Sequence, residues 1–130
     1  MSYLFDSSAI INLSSKKKAE KLLKGATMSL AFYEVGNAIW KQVHLRGSLT
    51  KEEGSKALTA LARLLKQMKE ASVKYEAAAL IIAVEEGLTY YDASYIQAAI
   101  DNALILVTDD AELLSKGKRY VETQASAELG

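Results

Sequence analysis

The chain has 130 residues, half of them hydrophobic and a quarter charged, with sixteen basic residues balancing sixteen acidic ones. That composition fits one globular domain, residues 1–130, burying about two-thirds of its unfolded surface, and it excludes disorder. With no cysteine and a single histidine, His44, disulfides, thiolate metal centres and imidazole-built zinc sites are excluded, so any metal must be hard and oxygen-bound, such as Mg2+ or Mn2+. The balanced charge gives no global field for nucleic acid. The first ten residues lack a basic n-region, and the longest apolar run, Ala77 to Val84, is far short of the roughly 20 residues a membrane helix needs. A soluble, cytoplasmic protein is expected.

Tyr3-Leu4-Phe5 reads as a short strand buried on both faces, ending in Asp6 and two small hydroxyls, Ser7 and Ser8. A carboxylate at the carboxyl end of a parallel strand sits where open α/β sheets place their ligands. Residues 8–13 then read as a helical turn. Lys16, Lys17, Lys18, Lys21 and Lys24, with Ala19, Leu22 and Leu23 between them, predict an amphipathic helix ending at Gly25, its lysines more a solvated face than a phosphate patch.

Residues 27–30 read as a second strand, running into a helix from Ala31 to about Arg46 that Gly47 closes. Glu34, Asn37 and Lys41 share one face of it. As a first-turn acid, Glu34 has an ordinary account in the helix dipole. The clearest helix runs from Ser48 to about Ala71, opened by the capping-box pattern Thr50-Lys-Glu-Glu53 and carrying Leu58, Leu61, Leu64, Leu65 and Met68 at helical steps. With the preceding helix it can form a hairpin, its apolar residues serving mainly as core.

Residues 71–74 are a weak third strand. The uniformly apolar helix from Ala77 to Glu86, stopped by Gly87, is expected to be buried between other elements. The next helix opens at Thr89, with Asp92 three residues on, the spacing of a cap and an acid at the third position. Residues 103–108 form the second convincing strand, terminated by Asp109 and Asp110. Asp109 and Glu112 have capping spacing, which turns Asp109 toward its own backbone and frees Asp110. The last strand is expected at Lys118–Glu122, followed by a frayed tail.

Each acid alone has a bland explanation, but Asp6 and Asp110 end strands while Glu34 and Asp92 open helices. In a parallel sheet these elements meet at one edge. Two carboxylates about 5 Å apart repel by roughly 3 kcal/mol at an effective dielectric near 20. Such a cluster takes up protons or binds a cation.

Across essentially its whole length the sequence resembles the PIN-domain ribonucleases of the VapC toxin type. The resemblance rests on Phe5-Asp6-Ser7-Ser8-Ala9-Ile10, Tyr33-Glu34-Val35-Gly36-Asn37-Ala38, Thr89-Tyr90-Tyr91-Asp92-Ala93-Ser94-Tyr95 and Leu106-Val107-Thr108-Asp109-Asp110, in that order. It implies a three-layer α/β/α fold around a parallel sheet of order 3-2-1-4-5. It also implies a Mg2+- or Mn2+-dependent endoribonuclease whose metal-binding, catalytic acids are Asp6, Glu34, Asp92 and Asp110. Ser8, Asn37 and Thr108 correspond to residues supporting those acids. The family pattern Thr-x-Asp selects Asp110 over Asp109. A homodimer and a VapB-like antitoxin are further implications, with the helices carrying Trp40, Val43 and Leu58–Met68 as candidates for those contacts.

Four readings stand against this one. A phospho-receiver domain is also a small doubly wound fold with an acidic edge, but it wants further acids after the first strand and a closing Lys-Pro, and the chain has no proline. A PIN fold serving only as a binding module leaves four acids without a task. A dinucleotide site lacks its glycines after the first strand. A haloacid-dehalogenase-type phosphatase would need an acid where Ser8 stands.

Overall fold

A computed structural model of the chain describes residues 2–129. Five parallel strands form one sheet in the order β3-β2-β1-β4-β5: β1 Tyr3–Phe5, β2 Ala26–Thr27, β3 Lys69–Glu70, β4 Ile105–Val107 and β5 Thr123–Gln124. Six α-helices connect them: α1 Ser7–Ser15, α2 Leu30–Trp40, α3 Lys51–Gln67, α4 Glu76–Glu86, α5 Tyr90–Asp101 and α6 Ala111–Gly117. The expected order and three-layer α/β/α architecture are what the chain adopts.

Strand periodicity divides the core. Leu4 and Leu106 face a cluster with Ile82, Tyr95, Ile96 and Leu113 on the side of α4, α5 and α6. Phe5 and Val107 face the opposite cluster, with Ile10, Leu13, Val35 and Met68 on the side of α1, α2 and α3. Leu4, Phe5, Leu106 and Val107 are fully buried. Three residues per central strand suffice, because both faces of each are covered by helices.

Local structure departs from expectation where backbone geometry overrides pattern. Residues 8–13 belong to a full helix, α1, because Asp6 caps it. The lysine-rich segment is only a short 3-10 helix, Ala19–Lys24, since Lys17 turns left-handed (φ 59°) and breaks the chain from α1. Strand β2 ends at Thr27, because Ser29 is already helical (φ −56°, ψ −28°) and Leu30 opens α2. Helix α2 continues through a π-helical turn, Lys41–Leu45, before the left-handed Gly47.

The capping box of α3 forms as expected: the Glu53 amide donates to Thr50 Oγ1 (3.0 Å) and the Thr50 amide to Glu53 Oε1 (2.9 Å). This helix stops at Gln67, because Met68 is extended and delivers Lys69 and Glu70 to β2. The third strand therefore lies ahead of the predicted 71–74. Gly54 lets α3 press against the end of α2; a Cβ there would meet Val43 Cγ2 at 2.7 Å.

Helix α4 ends at Gly87 in the left-handed region (φ 67°). It is not buried all round: Ala79, Ile82 and Ala83 face inward, whereas Leu80, Ile81 and Val84 are exposed. Residues 118–121, expected as strand, instead form the turn closing α6, with the Tyr120 and Val121 amides both donating to Gly117 O, so β5 starts only at Thr123. As far as Leu129 the tail, expected to be frayed, is held in place. Ser126–Glu128 forms a 3-10 turn whose first residue is buried. Among the described residues no helix is long and apolar enough to cross a membrane.

Candidate active site

Asp6 follows the last residue of β1 and is 5% exposed. Its extended backbone (φ −84°, ψ 176°) makes it the N-cap of α1, where its Oδ1 accepts the Ala9 amide at 2.9 Å. Ser8 Oγ donates to the same oxygen at 2.7 Å, and Thr108 Oγ1, from the end of β4, donates to Oδ2 at 2.5 Å. Both hydroxyls are held in turn, Ser8 Oγ accepting the Asp109 amide (2.9 Å) and Thr108 Oγ1 the Asp110 amide (3.1 Å). Burial nevertheless outweighs these three donors and, helped by Glu34, pushes the Asp6 carboxyl up to about 6.

Glu34 lies one turn inside α2, which begins at Leu30, so the helix dipole does not account for it. Tyr95, buried on α5, donates its hydroxyl to Glu34 Oε1 at 2.7 Å, and Ser7 supplies a second hydroxyl. Burial still raises the carboxyl above its ordinary value. The burial and the facing acids also push the Tyr95 phenol far up, so it stays a donor at any ordinary pH.

Asp92 is the third residue of α5, whose N-cap Thr89 accepts the Asp92 amide at 3.1 Å. The cap uses only the backbone of Asp92: among the described residues its carboxylate accepts no hydrogen bond. Partial burial, then repulsion from Asp110, Glu34 and Glu112, pushes it up to about 6. The four acids of the sequence reading thus sense one another across the carboxyl edge of the sheet, Asp6 through Glu34 and Asp92 through Glu34 and Asp110.

Asp109 and Asp110 exchange the local roles expected from their spacing. Asp110, not Asp109, caps α6, its Oδ1 accepting the Leu113 amide at 2.8 Å, because the extended residue before Ala111 is Asp110. Asp109 points away, into a structural knot. Its carboxylate accepts from Asn12 Nδ2 (2.8 Å), the Ser126 amide (2.8 Å) and Ser126 Oγ (2.5 Å). Burial pulls the Asp109 carboxyl upward, but the Ser126 and Asn12 donors outweigh it and hold it below the usual range. Asp110 is close enough to Asp92 for its charge to raise the Asp92 carboxyl.

Asn37 lines the same cleft as Glu34 and, among the described residues, makes no hydrogen bond to the acids. Tyr95 and Ser7 escaped the sequence reading as supports of Glu34. The i, i+3 step from Asp92 to Tyr95 was the available signal, for it puts both on one side of α5. Lys21 and Lys24 line a separate depression with Tyr3 and Leu129, where Lys21 Nζ donates to the Leu129 carbonyl (3.3 Å). The cations lining the cleft of Glu34 are instead Lys41 and Arg46.

The donor set is all oxygen, burial raises three of its carboxyls, with neighbouring acids adding to it at Asp6 and Asp92, and that chemistry fits a hard divalent cation. Among the described residues no three carboxylates close into a preformed cage. An ion here would keep several water ligands, as Mg2+ does.

No family model matches the chain. Two curated proteins of Pyrobaculum aerophilum do: one named exonuclease VapC9, 37% identical and aligned over 94% of this chain and 90% of its own length, and one named ribonuclease VapC3, 35% identical over 89% and 95%. A solved crystal structure, that of PAE2754 from the same organism, superposes with a TM-score of 0.78 at 34% identity, covering 95% of this chain and 89% of its own.

Proposed function

The chain belongs to the VapC family, and on that premise we propose that it is a Mg2+- or Mn2+-dependent endoribonuclease, the toxin of a toxin–antitoxin pair acting in the cytoplasm. The observation that carries this reading is the meeting of Asp6, Glu34, Asp92 and Asp110 at one sheet edge with their charge unneutralised. These four residues would hold the ion. When bound, it supplies positive charge to the carboxylates and to a phosphate gaining charge under in-line attack.

The chain's own residues divide the remaining work. Asp6 is fixed by three donors and sets the position of the site. Tyr95 and Ser7 aim Glu34. Asp92, whose carboxylate accepts no hydrogen bond among the described residues and whose value is about 6, is the group best placed to orient the attacking water and accept its proton at a carboxylate oxygen. A receiver-type reading needs a lysine closing the last strand; Ala125 and Ser126 follow β5 here.

Two apolar surfaces suit the protein partners. A groove of about 690 Å3 between α1, α2 and α3, lined by Ile11, Ile39, Ala57, Leu61 and Leu64, suits an antitoxin segment. Ser14 Oγ at its edge has no partner within the described residues. The exposed Leu80, Ile81 and Val84 of α4 suit a homodimer contact.

The test is cleavage of a mixed RNA set by wild type and Asp6→Asn with Mg2+, with Mn2+ and with excess chelator. Metal-dependent cutting that Asp6→Asn abolishes is expected. Cutting that survives chelation, or no calorimetric binding of Mn2+, would refute the reading. Because one relative is named an exonuclease, circular RNA is included: an endonuclease linearises it, and an exonuclease leaves it whole.

A further inference from the structure

We propose that Tyr33 is the stacking platform of a path for single-stranded RNA, with Lys41 and Arg46 on its acidic side and Lys66 and Lys69 on the other; this rests on the nuclease reading above. Tyr33 is 72% exposed on α2, directly before Glu34. Its ring is not loose. Phe32 packs against it edge-on, with centroids 5.2 Å apart and planes at 88°.

Tyr33 lines two cavities at once. One, of about 770 Å3, it shares with Glu34, Lys41, Arg46 and Tyr91; the other, of about 320 Å3, it shares with Lys66 and Lys69. The ring is therefore the ridge between them. Each cavity has two cations against one acid, Glu34 in the first and Glu70 in the second. Among the described residues none of these four cations is in an ion pair, the two ion pairs being Lys116 with Glu112 and Arg119 with Glu86. A chain with no net charge thus concentrates unpaired positive charge on both sides of an exposed ring.

A phosphodiester strand supplies what this surface lacks: anions for the four cations and a π-face for the tyrosine. A duplex cannot, because its bases stack on each other and turn only phosphates and groove edges outward. Tyr91, 61% exposed on the acidic side, offers a second ring to the next base. A strand laid over Tyr33 passes directly from the ridge to the carboxylates.

Fluorescence anisotropy of a labelled, unstructured RNA of about 12 nucleotides, against a duplex of the same length, tests this. The full chain carries Asp6→Asn so that the RNA stays whole, with and without Tyr33→Ala, Tyr33→Phe or Lys41→Gln. The single strand should bind at least about tenfold more tightly than the duplex. Tyr33→Ala should weaken it about 5- to 100-fold, Tyr33→Phe should stay within about twofold, and Lys41→Gln should flatten the log–log salt slope by about 0.7.

Equal affinity for duplex and single strand, no measurable RNA binding, or a Tyr33→Ala protein that binds like its parent overturns the proposal. Binding of an antitoxin peptide, but not RNA, through Tyr33 also overturns it. Wild-type cleavage is scored separately. Cutting without Tyr33-dependent binding defeats only the path, whereas Tyr33-dependent binding without cutting under any condition defeats only the nuclease reading.

Discussion

Asp6→Asn should stabilise the metal-free protein at neutral pH while destroying its metal response. The Asp6 carboxyl rises from 3.8 to about 6 on folding. Its folded-state value lies above its unfolded one, so stability is full below about pH 4 and is lost as pH climbs through about 6. At about 1.4 kcal/mol per unit, the ionised carboxylate costs about 3 kcal/mol by pH 8. Asparagine caps a helix about as well as aspartate, and its amide oxygen can keep the Ala9 and Ser8 donors. Its amide group, however, must turn Thr108 Oγ1 from donor to acceptor. With Oδ1 now a neutral acceptor for Ala9 and Ser8, and the Thr108 hydroxyl without an acceptor at this group, about 1 kcal/mol is returned, leaving a net gain of about 2 kcal/mol. For a chain of this size that is a rise in Tm of about 4–12 °C at pH 8 in chelator, vanishing near pH 4. Adding Mn2+ should raise the wild-type Tm and leave Asp6→Asn unmoved. Thermal melts at both pH values, with and without Mn2+, are the assay. A mutant that melts below wild type by the same margin at pH 4 and pH 8 would show that Asp6 is a structural cap and refute the ligand argument.

Asp109→Asn and Asp110→Asn should separate structure from chemistry. The first breaks the charged acceptor shared by Asn12 and Ser126, so Tm should fall by the equivalent of about 1–2 kcal/mol while cleavage survives; the second keeps its cap on Leu113, so Tm should hold while cleavage is lost. Reversed outcomes in melts and cleavage assays would mean the fourth acid is Asp109. Gly54→Val puts a branched side chain where even a Cβ meets Val43 at 2.7 Å, and denaturant titration should show a loss of about 1–3 kcal/mol or more. Val84→Glu, on the exposed face of α4, should leave the melt unchanged but make a homodimer sediment as a monomer; an unaltered sedimentation profile would place the contact elsewhere.

The two central strands were legible in local chemistry, as apolar runs that end in carboxylates, whereas the sheet order came from the resemblance of four motifs to the VapC-type PIN domains. What escaped is what neighbours decide. Residues 71–74 have the better strand pattern, yet β3 is Lys69–Glu70, because the Thr27 carbonyl takes the Ala71 amide and sets the register from the adjoining strand. Likewise β5 begins at Thr123 because residues after Gly117 turn back onto its carbonyl, which no periodicity announces. For α4, uniform apolarity fails to distinguish a helix covered on all sides from one with an exposed second face.

The Asp109–Asp110 pair shows how one capping spacing can fit two geometries. Capping spacing fits both Asp109 with Glu112 and Asp110 with Leu113, and only the backbone decides between them. Asp110 is the extended residue before the helix, so it caps, and Asp109 is drawn off by Ser126, a residue 17 positions away in a tail expected to be frayed. The tail therefore has a consequence for the site. By taking Asp109 it leaves Asp110 alone to face Asp92, and it holds the Asp109 amide where Ser8 can accept it while donating to Asp6. Truncation after Gln124 removes that hold without touching any of the four acids. It should loosen metal affinity, read by Mn2+ calorimetry, by more than Asp109→Asn does alone, since it frees both the carboxylate and the backbone that carries it. Unchanged affinity after truncation would show that Asn12 alone suffices to keep Asp109 out of the site.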